Sequence, residues 1–341
     1  MRRQPPFSFE SPMKINWRSQ AGRSWLYQLL AVALVVMVAG WLINNTLINM
    51  KARGIQSGFD FLMQSAGFAI GETPIAYDAE NPYWKAFLVG LLNTIRVALV
   101  GIVLCTVLGT LIGVGRVSSN ALARGFCYIY TELFRNIPVL LQLIMWYILM
   151  VEWMPDPDTP LRWGNVVLFS KMGLQVAFPT LSAQAPYVSM SLPELVDGEY
   201  LGGLTLTPEF FALTLGLTLY TAAFVAEVVR SGIQSVSQGQ REAAQSLSLS
   251  PWQTTRLVIL PQAMRVIVPP LTNQYLNLTK NSSLAVAIGY PDLVNIATTS
   301  LNQTGRAVEC IAVIMAVYLF LSLLTSFIMN AYNRKVAIKE R

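Results

Sequence analysis

The chain is written in long apolar runs separated by shorter polar ones. Stretches close to the roughly 20 residues that cross the hydrocarbon of a bilayer lie at 26–46, 86–113, 126–151, 210–230, 266–297 and 307–331. Each predicts a transmembrane helix, six in all, and the fold class is therefore all-α integral membrane. The third and fifth runs contain prolines and polar residues, which leaves their ends open, and a hairpin around 163–178 has enough apolar character to imitate a span. The first run, WLYQLLAVALVVMVAGWLINN, exceeds the roughly 7–15 apolar residues of a secretory leader and lacks a small-x-small cleavage site. It is expected to remain as an anchor.

Composition agrees with the pattern. Hydrophobic residues make up 54% and charged residues 12% of the 341 positions, against about 25% charged in soluble domains. The charges also orient the chain, because short loops rich in Lys and Arg stay cytoplasmic. Fifteen of the 24 basic residues fall in 1–24, 114–124, 229–265 and 332–341, and six in the alternate loops 47–85, 152–208 and 298–306. Both termini are thus predicted on the cytoplasmic side. The net charge of +6 is mostly this topology signal and does not point to nucleic acid. Cys105, Cys127 and Cys310 are odd in number and fall within spans, which argues against a disulfide framework. With no histidine in the sequence, His-ligated metals and His-based general catalysis are excluded.

The connecting segments are less informative. Residues 1–24, with Pro5, Pro6 and Pro12, read as a loose tail. Residues 47–85 carry several glycines with Phe59, Phe61 and Phe68, and suggest a short amphipathic element on the membrane surface. The second span holds Asn93 and Arg96 near one end and a Gly109-x-x-x-Gly113 pair near the other, a spacing that lets helices approach closely inside one subunit. Residues 152–208 form the longest external segment. LVNIATTSLNQTGRAVE, residues 293–309, reads as a solvent loop between the last two spans.

One polar element stands out, REAAQSLSLSPWQTTRLVILPQAMR at 241–265. Residues 238–247 favour a helix with Ala243, Ala244 and Leu247 on one face. Ser250 followed by Pro251 reads as an N-cap and first helical position, starting a second helix through WQTTRLVIL that ends before Pro261. Two short helices meeting near Ser248 to Ser250 suit docking into a groove on another protein, or an amphipathic loop lying on lipid headgroups.

At this segment the chain resembles the inner-membrane permease subunits of ATP-binding-cassette importers, in the polar and general L-amino-acid group. The family signature is Glu-Ala-Ala, three residues, Gly, nine residues, Ile-x-Leu-Pro. Glu242, Ala243, Ala244, Leu260 and Pro261 match it, with Ser248 in place of the Gly and Val258 of the Ile. If the Gly position requires positive φ, Ser there costs about 1 kcal/mol. TELFRNIPVLLQL, with Arg135, Asn136, Pro138 and Gln142, AEVVRSGIQSVSQGQREAA and TKNSSLAVAIGYPDL are similar to core segments of the same group.

The resemblance implies a type I importer permease fold, a five-helix core plus one N-terminal helix. It divides the chain into a tail at 1–24, an extra helix and periplasmic loop at 25–85, the permease domain at 86–331 with coupling helices at 238–261, and a tail at 332–341. It further implies a bacterial inner-membrane protein passing L-amino acids from a periplasmic binding protein to the cytoplasm by alternating access. The partners would be a second, non-identical permease and two ATPases. The sequence has no G-x-x-x-x-G-K-[ST] phosphate loop, so ATP and Mg belong on the partner ATPase, with no cofactor on this chain. Glu242, Ala243, Ala244, Ser248 and Pro261 are assigned to ATPase coupling, although Glu242 capping its own helix is an alternative.

For the pathway, polar groups within spans are costly in hydrocarbon and usually face a cavity or a partner. Glu132 and Arg135 stand three apart, as do Glu227 and Arg230, so each pair can neutralise itself or line the path. Asn136 and Gln142 join them as pathway candidates. Asn277, Lys280, Asn281, Ser282 and Ser283 form a polar patch in which Lys280 meets a substrate carboxylate or snorkels to the interface. The competing functions are an ATP-independent transporter or channel, for which no internal inverted repeat is visible, and a membrane scaffold recruiting a cytoplasmic partner.

Overall fold

The computed structural model describes residues 20–52, 54, 57–164, 166–181, 188–196 and 199–336. Of the tails expected at 1–24 and 332–341, residues 1–19 and 337–341 lie outside the described residues. Two compact units divide the chain at Ser57 and Gly58. The first is built on a single helix, α1 (Gln20–Ala52), that begins inside the stretch expected as a tail. Its Trp25, Leu34, Val35 and Trp41 side chains are exposed, and its 33 residues reach about 50 Å, more than the hydrocarbon requires.

The second unit is a helical bundle with a small β-region. A single 3₁₀ turn (Asp60–Met63) precedes α2 (Tyr83–Arg116), followed by α3 (Ala121–Asn136) and α4 (Val139–Trp153). After the β-region come α5 (Pro208–Gln234), α6 (Gln238–Ser246), α7 (Pro251–Gln253), α8 (Leu260–Asn281), α9 (Leu293–Thr304) and α10 (Ala307–Val336). Four helices are individually long and apolar enough to cross, α1, α2, α5 and α10. The expected third and fifth spans are broken. α3 and α4 meet at 104°, and the segments 251–288 and 293–304 meet at 49°, so six spans result only when each bent pair counts as one.

The core is organised on α5. Leu213, Leu217, Ala222 and Val225 are fully buried and pack with Val97, Cys105, Leu143 and Leu278. α2 approaches closely because Gly109 and Gly113 present no side chain. A Cβ on Gly109 would lie 2.6 Å from the Val225 Cβ, and one on Gly113 would lie 2.7 Å from the Ala226 carbonyl oxygen. The glycine pair is thus a packing device inside the subunit, as its spacing indicated.

Two expectations fail in the connecting segments. The stretch 58–82 does not form an amphipathic surface element. Phe61 and Ala66 are buried against Tyr83, Phe87, Leu293, Ile296 and Cys310, and Arg306 ties the turn down through the Asp60 carboxylate at 2.9 Å. The supposed solvent loop at 293–309 is mostly helix, because Leu293, Ile296, Ala297 and Ser300 recur on one helical face and are buried. Asp292 caps this helix, accepting from the Asn295 amide at 2.9 Å.

Between α4 and α5, the described residues form eight short strands. β1 (Leu161–Trp163), β2 (Val167–Ser170), β3 (Gly173–Val176) and β8 (Leu204–Leu206) form one antiparallel sheet in that order, in register Leu161↔Phe169, Val167↔Val176 and Leu174↔Leu206. β4 (Phe178–Leu181) pairs with β5 (Val188–Ser191), and β6 (Glu194–Val196) with β7 (Glu199–Leu201). The hairpin expected around 163–178 is β2 and β3. Phe169 stacks on Phe211 of α5 at 5.4 Å and fixes the sheet to the bundle. The all-α class therefore holds for the membrane part and misses this region. α10 continues to Val336, five residues into the stretch expected as a tail from 332.

Gly113→Ala is expected to force α2 from α5 and lower the thermal midpoint of the purified chain. Overpacking of this kind costs about 1–3 kcal/mol, and a melting curve unchanged from the native one would refute the close-approach role.

Candidate functional site

The 241–265 element folds as two helical pieces joined by a tight turn. α6 ends at Leu247, where the Leu249 amide donates to the Ala244 carbonyl at 3.2 Å and the Ser248 amide to Gln245 at 2.8 Å. These are the two bonds of a Schellman motif, whose turn residue must take the left-handed conformation. Ser248 does so with φ of 55°, alone among the described non-glycine residues. Ser250 then caps the next helix. Its hydroxyl accepts from the Gln253 amide at 3.3 Å, and its own amide donates to Gln253 Oε1 at 2.9 Å.

The second helix does not stop before Pro261. A π turn over Thr254–Ile259 joins α7 to α8, with the Leu260 amide donating to the Thr255 carbonyl. The widened turn accommodates the proline ring, which would clash in a regular α-helix. Pro261 therefore sits exposed near the start of α8.

The faces of α6 also differ from the expectation. Ala244 is 3% exposed and packs inward, whereas Ala243 and Glu242 face out. Residues 243 and 247 share one helical side, and Leu247 is 75% exposed; Trp252 across the turn is 70% exposed. Glu242 lies beyond the first turn of α6, so it does not cap its own helix. The outward surface thus combines Glu242 and Arg256 with exposed Gln245 and Ser246 and with the apolar Ala243, Leu247, Trp252 and Leu257.

The pathway candidates do not converge on one site. Glu132 pairs with Asn136 rather than with Arg135. The Asn136 amide donates to the Glu132 carbonyl at 2.7 Å and to its carboxylate at 3.4 Å. Arg135 instead reaches Glu227 at 4.0 Å and lies over the Phe224 ring. Glu227 is shared among three helices. It binds Arg230 of α5, accepts from Arg116 Nη1 of α2 at 2.6 Å, and faces Arg135 of α3. Gln142 is buried at the α3–α4 break, where its amide donates to the Phe134 carbonyl at 2.9 Å and the Ile137 carbonyl at 2.8 Å. It satisfies carbonyls freed by the bend.

Farther along, Asn277 and Lys280 are exposed, Asn281 is half-buried, and buried Ser282 donates to the Thr279 carbonyl at 2.7 Å. Lys280 and Ser283 line a cavity of about 450 Å³ with Ile314 and Tyr318 of α10. No hydrogen bond or ion pair among the described residues joins this patch to the Glu227 cluster.

Sequence reasoning missed a polar cluster at the opposite end of α2. Glu72 pairs with Arg96 and accepts from the Thr207 hydroxyl at 2.7 Å. Asn93 donates to the Glu72 and Pro291 carbonyls at 2.9 Å each, and Arg96 lies 4.3 Å over the Phe210 ring. Burial outweighs these partners and holds the Glu72 carboxyl above the usual carboxylate range. Glu72, Thr207 and Glu209 border a cavity of about 420 Å³. Asn93 and Arg96 within a span were the signals, and nothing local pointed to Glu72.

Replacing Ser248 separates backbone geometry from side-chain chemistry. Ser248→Gly is expected to retain or raise the thermal midpoint, and Ser248→Val to lower it, with a difference of about 1–2 kcal/mol. Equal midpoints would remove the strain assigned to this turn.

Residues 105–338 match the family described as binding-protein-dependent transport system inner membrane component. The chain is 43% identical to the putative amino-acid ABC transporter permease protein YhdX of Escherichia coli K12, over 96% of this chain and 97% of that one. It is 39% identical to the general L-amino acid transport system permease protein AapQ of Rhizobium johnstonii, over 94% and 93% respectively. Among solved structures, a crystal structure of an amino acid ABC transporter with histidines superposes with a TM-score of 0.55 at 25% identity, covering 74% of this chain and 95% of that one.

Proposed function

The chain belongs to the family of binding-protein-dependent transport system inner membrane components, and on that premise we propose how it works. It is a membrane-embedded permease subunit of an amino-acid ABC importer, with ATP hydrolysis on a separate chain. It pairs with a second, non-identical permease, binds two ATPases, and receives L-amino acids from a periplasmic binding protein. The excess of basic residues in alternate loops supports cytoplasmic termini and a cytoplasmic 241–265 element in a bacterial inner membrane. Family membership leaves the ATP-independent transporter and scaffold readings without support.

The observation that carries the coupling assignment is the Schellman turn at Ser248. It sets α6 and α7 at an angle and turns Glu242, Ala243, Leu247 and Trp252 outward. Exposed apolar groups beside Glu242 and Arg256 suit a groove on the ATPase. Ala244 and Pro261 act indirectly, Ala244 by packing α6 inward and Pro261 by the π turn that leads into α8.

For the path, the Glu227 cluster with Arg135 and Arg230 holds α2, α3 and α5 in register, and Glu132 with Asn136 shapes the end of α3. Gln142 and Ser282 position the breaks in the two bent spans. Lys280, with Asn277 and Asn281 nearby, is the group offered to a substrate carboxylate. Residues 25–85 and 86–331 keep their proposed division between accessory segment and permease domain.

The test is the importer reconstituted in proteoliposomes with its ATPase, second permease and binding protein. Ala243→Asp with Leu247→Asp is expected to reduce ATPase recovery and L-amino-acid uptake roughly tenfold or more while the thermal midpoint of the chain holds. Ala244→Asp is expected to lower that midpoint, since it buries a charge. Full ATPase recovery with the first variant would overturn the coupling assignment. Lys280→Ala and Asn281→Ala are expected to weaken uptake at limiting substrate, and full uptake in both would end the role given to Lys280.

A further inference from the structure

At the end of the bundle that carries the coupling element, α2, α3, α5 and α6 surround a basic cleft. It has two lobes, of about 480 and 330 Å³, that share Arg116, Arg124 and Gln234. Arg241 borders the first and Arg230 the second. Four guanidiniums thus line the cleft, and the carboxylate in contact with any of them is Glu227, already divided between Arg116 and Arg230. Arg124 and Arg241 are held by backbone carbonyls alone, Arg124 by Ser118 at 3.0 Å and Arg241 by Ile233 at 2.9 Å. Those bonds orient the two guanidiniums, and no ion pair among the described residues offsets their charge. The adjacent acids turn elsewhere, since Glu132 is engaged by Asn136 and Glu242 faces outward.

The cleft has an apolar flank. On α3, Arg124, Gly125 and Tyr128 line it, and a Cβ at Gly125 would meet nothing within 4 Å. About a quarter-turn around the same helix, Leu122, Phe126, Ile129 and Leu133 form an exposed stripe, at 85%, 74%, 66% and 52% exposure. A cavity with excess guanidinium beside an apolar helix face matches a ligand with an anionic phosphate head and acyl chains.

We propose that this cleft binds the phosphodiester headgroup of an anionic phospholipid, with Arg124 and Arg241 as principal ligands and the acyl chains along the α3 stripe. Guanidinium forks fit phosphate oxygens bidentately, and basic pockets between transmembrane helices take such headgroups. A free phosphate offers the same head chemistry without the chains and would leave the stripe unused. The site rests on the proposed function only in placing this face at the cytoplasmic leaflet, and its chemistry is independent of transport.

The full-length chain, purified alone in mild detergent, would be exchanged with a mixture of phosphatidylglycerol and phosphatidylcholine and analysed by native mass spectrometry. Arg124→Gln with Arg241→Gln leaves the Glu227 cluster intact. The expected result is selective retention of phosphatidylglycerol by the native chain, reduced roughly thirty-fold in the variant, with phosphatidylcholine unchanged and the thermal midpoint preserved. Equal retention by both chains, or no selectivity in either, would overturn the proposal. Displacement of phosphatidylglycerol by millimolar inorganic phosphate, with no dependence on acyl chains, would reassign the cleft to a soluble anion. Unchanged lipid retention together with loss of the ATPase from the assembled importer would make Arg124 and Arg241 protein contacts. Because retention is read without ATPase, binding protein or uptake, failure of the importer reading would not alter this outcome.

Discussion

The close contact of α2 with α5 is the constraint on which the bundle depends. Without side chains at Gly109 and Gly113, the two helices meet at backbone distance along Ala222 to Val229. In an apolar surrounding the hydrophobic effect supplies little attraction between helices, so dispersion at such close approach does that work. Other features sit on this pair. Arg116 at one end of α2 reaches Glu227 of α5, and Arg96 toward the other end lies over Phe210 of the same helix. α8 packs against both, with Ile267 beside Gly232 and Leu278 beside Gly101.

Once the helices are close, every interruption in them exposes backbone groups that no water can reach. A bilayer tolerates irregular backbone only where protein satisfies it, and the side chains at the breaks do so. Gln142 answers two carbonyls at the α3–α4 bend. Asn93 answers the Pro291 carbonyl, Thr94 accepts from the Leu293 amide at 3.1 Å, and Asp292 caps α9. Polar residues inside apolar runs are thus largely structural here, which leaves Lys280, lining a cavity, as the group proposed for substrate contact.

The two ends of the bundle differ in electrostatics. One end pairs Glu72 with Arg96 and closes the charge locally. The other gathers Arg116, Arg135 and Arg230 on Glu227 and leaves Arg124 and Arg241 in excess. That asymmetry is the three-dimensional form of the loop charge bias. It also places the cleft proposed for an anionic headgroup next to the 241–265 element proposed to meet the ATPase.

The sequence alone determined the membrane class, the approximate spans, the glycine contact and the turn at Ser248. Each rests on short-range rules: length of apolar runs, four-residue spacing, and the match of Glu242 to Pro261 to a linear signature. It also indicated the capped helix at Ser250, because Ser-Pro is a local signal. The tertiary structure alone decided the partners of the charges and the fate of the loops. Glu132 and Arg135 are neighbours on one helix turn, yet Arg135 turned to Glu227, 92 positions away, because α3 crosses α5 there. Glu72 meets Arg96 and Thr207 for the same reason. Apart from the hairpin of β2 and β3, the strands among the described residues escaped notice because each is only three or four residues long, too short for alternation to stand out from an apolar background. Pro261 was read as a stop because a proline's local effect is to break a helix, whereas the π turn that absorbs it depends on Thr254, Ile259 and Ala263 being buried against the bundle. Spacing fixes what adjacent residues do to one another; which distant groups share a low-dielectric site is set only when the helices pack.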